Sequence, residues 1–362
     1  MTGLIGVLGG AGAVGRTAVE RLASFGLPLR IGGRSLVRAD EVARAVGADA
    51  TAVDLFDDDS LTRFCSGCAV VVNCAGPSYQ VLDRVARAAL AADAGYVDAA
   101  GDLVAVEALG HAPPSSLARR AAVFSAGLMP GLSGLLPRLL LDGTPVGRLD
   151  VYVGGSVEIS EASAVDALLT RGPKFGHALA MWQAGRVVEH SLAPLRSVSL
   201  PGFRGRVHAV PFLSTEMRML AAGGGIGELR NYTVYATENL PAAFATAWAD
   251  DEQPPEAHAG AIVAAAARDV EEHGRHYTVL AYARPPAGSG LPARRVLLRT
   301  PDSYPLSGLV AAITARELAA GAVPPGVHYA SEALDPRRVT AELAGDPLVS
   351  ELALPEDAAA TR

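Results

Sequence analysis

Residues 5–15 read IGVLGGAGAVG. Gly10, Gly12 and Gly15 fit the spacing G-x-G-x-x-G, and Gly9, Gly12 and Gly15 fit the looser G-x-x-G-x-x-G. Glycine serves three ends in such a turn: it permits the tight bend, lets the backbone approach a pyrophosphate, and lets helix and strand pack closely. Ala11, Ala13 and Val14 between the glycines carry backbone N–H groups toward the same place. A glycine-rich turn alone is weak evidence. Here an apolar run, Leu4–Leu8, precedes it, and Arg16–Phe25 follows with Val19, Leu22 and Ala23 at helical spacing. A second strand arrives at Leu29–Ile31, within the length of one βα unit. A phosphate-binding P-loop is excluded, because no Gly-Lys-Ser/Thr follows. The stretch therefore predicts a dinucleotide held at the positive end of a helix.

The same alternation continues outward. Leu36–Val46 reads as a helix, Thr51–Val53 and Ala69–Val72 as strands, Val81–Ala92 as a helix, and Tyr96–Val97 and Ala121–Ser125 as strands. This is the α/β pattern of a doubly wound parallel sheet, a Rossmann domain over residues 1–130. The pattern then changes. Leu149–Val157 and Leu229–Thr237 look like longer alternating strands, and His276–Ala283 pairs with Arg294–Arg299 as a hairpin. Helices are expected at Ala162–Arg171 and Ala257–Glu272. A second, α+β domain with a largely antiparallel sheet is expected over 131–300. Residues 301–345 hold a last helix, Pro305–Gly321, with Asp302 and Ser303 as capping candidates. That segment is expected to return to the first domain, and 346–362 to form a mobile tail.

The end of the second strand discriminates between nicotinamide cofactors. An Asp or Glu there binds the ribose 2′-hydroxyl of NAD. This chain has Arg30-Ile-Gly-Gly-Arg34-Ser35 and no acid until Asp40. Arg34 suits bidentate pairing with a 2′-phosphate and Ser35 adds a hydroxyl, so NADP(H) is expected over NAD(H). Ligands gather at the carboxyl ends of such strands. By that rule Asp54 is a candidate for the adenine amino group, or else a helix cap. Cys74, Ala75 and Gly76 leave room for ribose and nicotinamide. Tyr79 and Asp98 fall near the expected hydride-transfer site, their alternative roles being a packing tyrosine and a structural carboxylate.

Composition supplies exclusions. A chain of 362 residues, 50% hydrophobic and 19% charged, has material for two packed cores. The net charge of −7 gives no basic stripe for nucleic acid. No apolar run is long enough to span a membrane, and the start reads as strand and turn rather than signal peptide, so a cytoplasmic protein is expected. The 31 Lys and Arg residues include one lysine, Lys174, with Thr170 four residues before it. The Tyr-x-x-x-Lys device of short-chain dehydrogenases is therefore absent. Cys65-Ser-Gly-Cys68 has only Cys74 as a further thiol, and His273-Gly-Arg-His276 sits at a helix end, so no metal site is expected.

The GVLGGAGAVGR turn, Gly33-Arg34-Ser35, VVVNCAGP, YVDAAGD and Ala126-Gly127-Leu-Met-Pro130-Gly131 resemble the saccharopine dehydrogenase-like family of reductases. The segment Asp302–Asp335, with Tyr304 and PPGVHYASEALDP, is also similar to members of that group. The resemblance implies NAD(P)-linked redox chemistry, often on a C=N bond; Tyr304, whose helix is expected to close over the cleft, is a third catalytic candidate beside Tyr79 and Asp98. The expected function is NADPH-dependent reduction of an imine of a biosynthetic intermediate. Two alternatives stay open: a trans-acting enoyl reductase on a carrier-bound substrate, and a non-catalytic NADP(H)-binding sensor or scaffold. A homodimer through the second sheet is a further expectation.

Overall fold

Strand β1 (Leu4–Leu8) is almost wholly buried, as a central strand covered on both faces must be. The computed structural model describes residues 3–170, 172, 174–250 and 252–355. After β1 come α1 (Ala13–Ser24), β2 (Leu29–Gly33), α2 (Leu36–Val46), β3 (Asp49–Ala52), α3 (Asp58–Cys65) and β4 (Cys68–Asn73). Then follow α4 (Ser78–Val81), α5 (Arg84–Ala91), β5 (Gly95–Asp98), α6 (Leu103–His111), β6 (Ala121–Phe124) and α7 (Leu132–Arg138). Next are β7 (Arg148–Ser156), α8 (Glu161–Leu169), β8 (Gly176–Ala178), β9 (Met181–Gln183), β10 (Arg186–Val188) and β11 (Leu195–Val198). They lead into β12 (Val207–Ser214), α9 (Thr215–Gly223), β13 (Glu228–Tyr235), α10 (Asn239–Ala249) and α11 (Pro255–His273). The chain continues through β14 (His276–Arg284), β15 (Arg294–Thr300), α12 (Ser303–Ala319) and β16 (Gly326–Tyr329). It closes with α13 (Ala330–Ala333), α14 (Pro336–Leu343) and β17 (Glu351–Ala353).

Two compact units result. The first comprises Met1–Leu132 with Tyr304–Asp335, and the second Ser133–Ser303 with Pro336–Arg362. In the first, seven strands run in the order β16-β6-β5-β4-β1-β2-β3, and every pairing is parallel. Six of them reproduce the Rossmann order, with β16 added beyond β6. Phe64, Tyr96 and Phe124 anchor a core on one face, the last two packed edge to face at 5.5 Å. Helix α12 is buried along Leu306–Ala315, on more than one face, and so reads as a core helix. It meets α1 at Gly308, where an added Cβ would lie 2.4 Å from the Val14 carbonyl oxygen.

The second unit is built on a ten-stranded sheet. Strand β7 pairs in parallel with β13 and antiparallel with β14, and all other pairings in the sheet are antiparallel. The expected largely antiparallel α+β arrangement is what forms, with one parallel pair at its centre. Val165, Phe244 and Ile262 join α8, α10 and α11 in one core. A second core stacks Tyr152 on Tyr232 at 4.9 Å, with Phe203, Leu280 and Leu297 around them.

The C-terminal region departs from expectation in two ways. Within 301–345, α14 groups with the second unit, where Arg337 pairs with Asp142 at 2.6 Å. The tail expected to be mobile from 346 instead turns at Asp346–Val349 and adds β17 to the edge of β15, with Leu352 opposite Leu298. Arg299 pairs with Glu351 at 2.9 Å and holds that edge. Residues 356–362 of the expected tail lie outside the described residues. No helix among the described residues is long and apolar enough to cross a membrane.

Candidate dinucleotide-binding site

The chain order of the first sheet reverses between β1 and β4, which is where a doubly wound sheet opens a crevice at its carboxyl edge. The glycine turn occupies that point. Gly9 has φ +74°, a conformation that favours glycine, and a Cβ on it would lie 2.8 Å from the Ala75 nitrogen. A Cβ on Gly15 would lie 2.2 Å from the Gly9 carbonyl oxygen and 2.8 Å from the Gly10 Cα. Gly12 caps α1 without a side chain, and its N–H closes the turn onto the Gly9 carbonyl at 2.8 Å. The first helical hydrogen bond runs from Arg16 N–H to the Gly12 carbonyl, so the N–H groups of Ala13, Val14 and Gly15 lie ahead of the ladder. The backbone at Gly9 and Gly15 thus leaves no room for a side chain, and three N–H groups at the start of α1 stay ahead of its ladder, the donor set an anion at a helix N-terminus uses.

At the next strand end, Arg34 and Ser35 follow β2 and are exposed. Ser35 is the N-cap of α2: its Oγ accepts from the Arg38 N–H at 3.4 Å, which leaves the hydroxyl proton to donate. No carboxylate lies within ion-pair distance of Arg34 among the described residues. Asp40, the nearest acid in sequence, pairs with Arg44 instead. Asp54 sits exposed beyond β3. One of its oxygens accepts from the Phe56 N–H at 2.9 Å, while the cap of α3 is Asp57.

The ends of β4 and β5 are tied into one hydrogen-bonded knot around Asp98, which is 2% exposed. Its Oδ2 accepts from the Tyr96 hydroxyl at 2.5 Å and the Asn73 amide at 3.2 Å. Its Oδ1 accepts from the N–H groups of Ala100 at 3.0 Å and Gly101 at 2.7 Å. The other end of Asn73 accepts from the Ala75 N–H at 3.1 Å, so the knot also shapes the Cys74-Ala75-Gly76 turn. Burial and the Asp98 charge push the Tyr96 phenol well above its ordinary range, which keeps it a donor. The same two causes push the Cys74 thiol up to about 12. Asp98 thus holds the floor of the crevice through four donors.

Tyr79 begins the next segment and donates from its hydroxyl to Asp102 Oδ2 at 2.7 Å. Asp102 also caps α6 through the Val104 N–H at 3.3 Å. Burial raises its carboxyl above the usual range, with the Tyr79 bond opposing that rise. Tyr304 is the second residue of α12, one turn before Gly308 and on the same helix face as the contact with α1. The glycine turn, Arg34, Ser35, Asp54, the Cys74–Gly76 turn, Tyr79 and Asp98 therefore share one edge of the sheet. The partner of Tyr79, Asp102, is legible in YVDAAGD only as a cap. Arg38, whose Nη2 donates to the Ala11 carbonyl at 3.2 Å, carries no signal beyond its spacing from Arg34.

The remaining chemistry-bearing residues are occupied elsewhere. Cys65 ends α3 and Cys68 begins β4, both buried and unlinked. The described residues hold no cluster of three or more metal-ligating side chains. In the second unit, Arg230 pairs with Glu228 at 2.5 Å, Arg206 donates to Ser197, and Glu216 accepts from Ser133 at 2.5 Å.

Residues 5–123 match the family model of the saccharopine dehydrogenase NADP binding domain. No curated protein matches the sequence. Among solved structures, the chain is similar to the apo, L-Glu-forming saccharopine dehydrogenase of Saccharomyces cerevisiae, with a TM-score of 0.70 and 14% identity. That likeness covers 97% of this chain and 99% of the yeast one, and at such identity it is a likeness of fold. A UDP-N-acetylglucosamine 3-dehydrogenase of Acidithiobacillus ferrooxidans is similar at a TM-score of 0.42 and 10% identity, over 89% of this chain and 95% of that one. Residues 5–123 are thus similar to the saccharopine dehydrogenase NADP binding domain, and the chain as a whole shares the fold of the yeast saccharopine dehydrogenase.

Proposed function

We propose that the chain is an NADPH-dependent reductase that delivers hydride to an imine carbon of a biosynthetic intermediate. The observation that carries the cofactor reading is the glycine turn joined to a β2 end that carries an exposed arginine, without a carboxylate partner among the described residues, and no acid until Asp40. The turn residues Gly9–Gly15 hold the pyrophosphate, and Arg34 with Ser35 holds the 2′-phosphate. Bound dihydronicotinamide supplies the hydride. Asp98 would hold the ends of β4 and β5 in place beneath the cofactor, and the small residues Cys74, Ala75 and Gly76 would leave room for its ribose and nicotinamide.

Charge at the strand ends favours an imine. The segments 73–82 and 98–104 contain Asp98 and Asp102 and no Lys, Arg or His. Two carboxyl groups favour a cationic iminium, which is already an electrophile and needs little acid–base help. They offer no cation to polarise an enoyl carbonyl. The Tyr79–Asp102 pair supports the enoyl alternative, because Tyr79 could deliver its proton to substrate once its hydroxyl leaves the Asp102 carboxyl to which it donates here.

With NADPH in excess, mixtures of primary amines and 2-oxo acids are expected to consume dihydronicotinamide absorbance, while enoyl thioesters are not. Turnover confined to enoyl thioesters would replace the imine reading. NADPH binding with no turnover across both substrate classes would favour the sensor or scaffold.

A further inference from the structure

We infer that Arg38 is a second specificity-determining cation of the cofactor site, closing with Arg34 on the 2′-phosphate as the two arms of a clamp. The inference rests on the NADP(H) reading above and adds to it a residue whose side chain reaches the glycine turn in this structure. Arg38 lies four residues after Arg34, on the first turn of α2, and its guanidinium spans from that helix to the Ala11 carbonyl. Two separate strand ends are thereby bridged by one side chain. A single neutral acceptor at 3.2 Å satisfies one of the five donors of a guanidinium.

The surroundings leave that charge uncompensated. Neither Arg34 nor Arg38 has a carboxylate within ion-pair distance among the described residues, and Asp40 is turned to Arg44. Between the arginines, Leu36 is 49% and Val37 70% exposed, although most large apolar side chains here are buried. Two exposed cations flanking an exposed apolar pair, at the carboxyl edge of a parallel sheet and over a helix N-terminus, match a phosphorylated nucleoside. The phosphate takes the cations and the purine takes the apolar surface. The bond to Ala11 sets the guanidinium beside the glycine turn, on the side where the clamp would close.

The test uses adenosine 2′,5′-bisphosphate and adenosine 5′-monophosphate as calorimetric probes, which read the subsite without any catalytic step. Arg38→Met is expected to weaken the bisphosphate by about 10-fold or more, and to leave the monophosphate within about twofold. Arg38→Lys is expected to restore part of the loss, since it keeps the charge but not the fork. Equal weakening of both probes would make Arg38 a structural brace of the turn and overturn the inference. So would bisphosphate affinity unchanged by Arg38→Met in a protein that still binds NADPH. If the wild type binds neither the bisphosphate nor NADPH, the NADP(H) reading itself falls, and this inference with it.

Discussion

Gly15→Ala is expected to cost about 100-fold in NADPH affinity while leaving the second unit folded. The added methyl would sit 2.2 Å from the Gly9 carbonyl oxygen and 2.8 Å from the Gly10 Cα, both of them backbone. Backbone cannot swing aside as a side chain can, so α1 must move off β1 or the turn must open. Overpacking of this kind costs about 1–3 kcal/mol, and more where relaxation is blocked. Either response displaces the N–H groups of Ala13, Val14 and Gly15 from a shared focus. A 100-fold loss corresponds to about 2.7 kcal/mol of binding free energy. Calorimetry with NADPH reads the loss, and thermal unfolding reads the destabilisation. Full affinity in Gly15→Ala would mean that the turn does not hold the pyrophosphate.

Asp98→Ala is expected to destabilise the first unit by roughly 3–5 kcal/mol. The substitution leaves the Tyr96 hydroxyl, the Asn73 amide and two backbone N–H groups without their acceptor in a buried site. Each stranded donor costs about 1–3 kcal/mol, with partial relief from water entering the gap. At about 2–4 °C per kcal/mol for a unit of this size, the melting transition should fall by on the order of 10 °C. Asp98→Asn is the informative companion. It keeps the volume but turns a donor toward Tyr96 or the backbone N–H groups, so it should lose much of the same stability. An Asp98→Ala protein of wild-type stability would show that the carboxylate is not the keystone of the strand ends.

The parts of this fold legible in the sequence are those in which local pattern and tertiary role coincide. Strand β1, the turn and α1 announce themselves because glycine spacing, apolar run and helical period all change at one place. Strands β7 and β13 are long enough to show their alternation. By contrast, β8, β9 and β10 are three residues each, too short for any period. Strand β12 alternates cleanly in burial but carries Pro211, a residue that argues against a strand when read alone. Strand β17 exists because β15 offers an edge, a fact of tertiary structure that Glu351-Leu-Ala353 does not advertise.

The site divides along the same line. The glycines, Arg34 and Ser35 are readable because a ligand's chemistry prescribes residue type at a fixed offset from a strand. Asp98 is readable as a strand-end carboxylate; three of its four donors, Tyr96, Ala100 and Gly101, are near neighbours in sequence, and only the pairing of β4 with β5 brings up the fourth, Asn73. Asp102 and Arg38 pass for a helix cap and a solvated cation until Tyr79 and Ala11 are found beside them.

The measurement that bears most directly on the central claim is a paired calorimetric titration of the wild type and Arg34→Ala with NADPH and NADH. NADPH is expected to bind more tightly than NADH to the wild type. Arg34→Ala should lose about 10–100-fold toward NADPH, the worth of one charge-assisted bidentate contact, and little toward NADH. Failure of the wild type to bind either dinucleotide would contradict the account at its root.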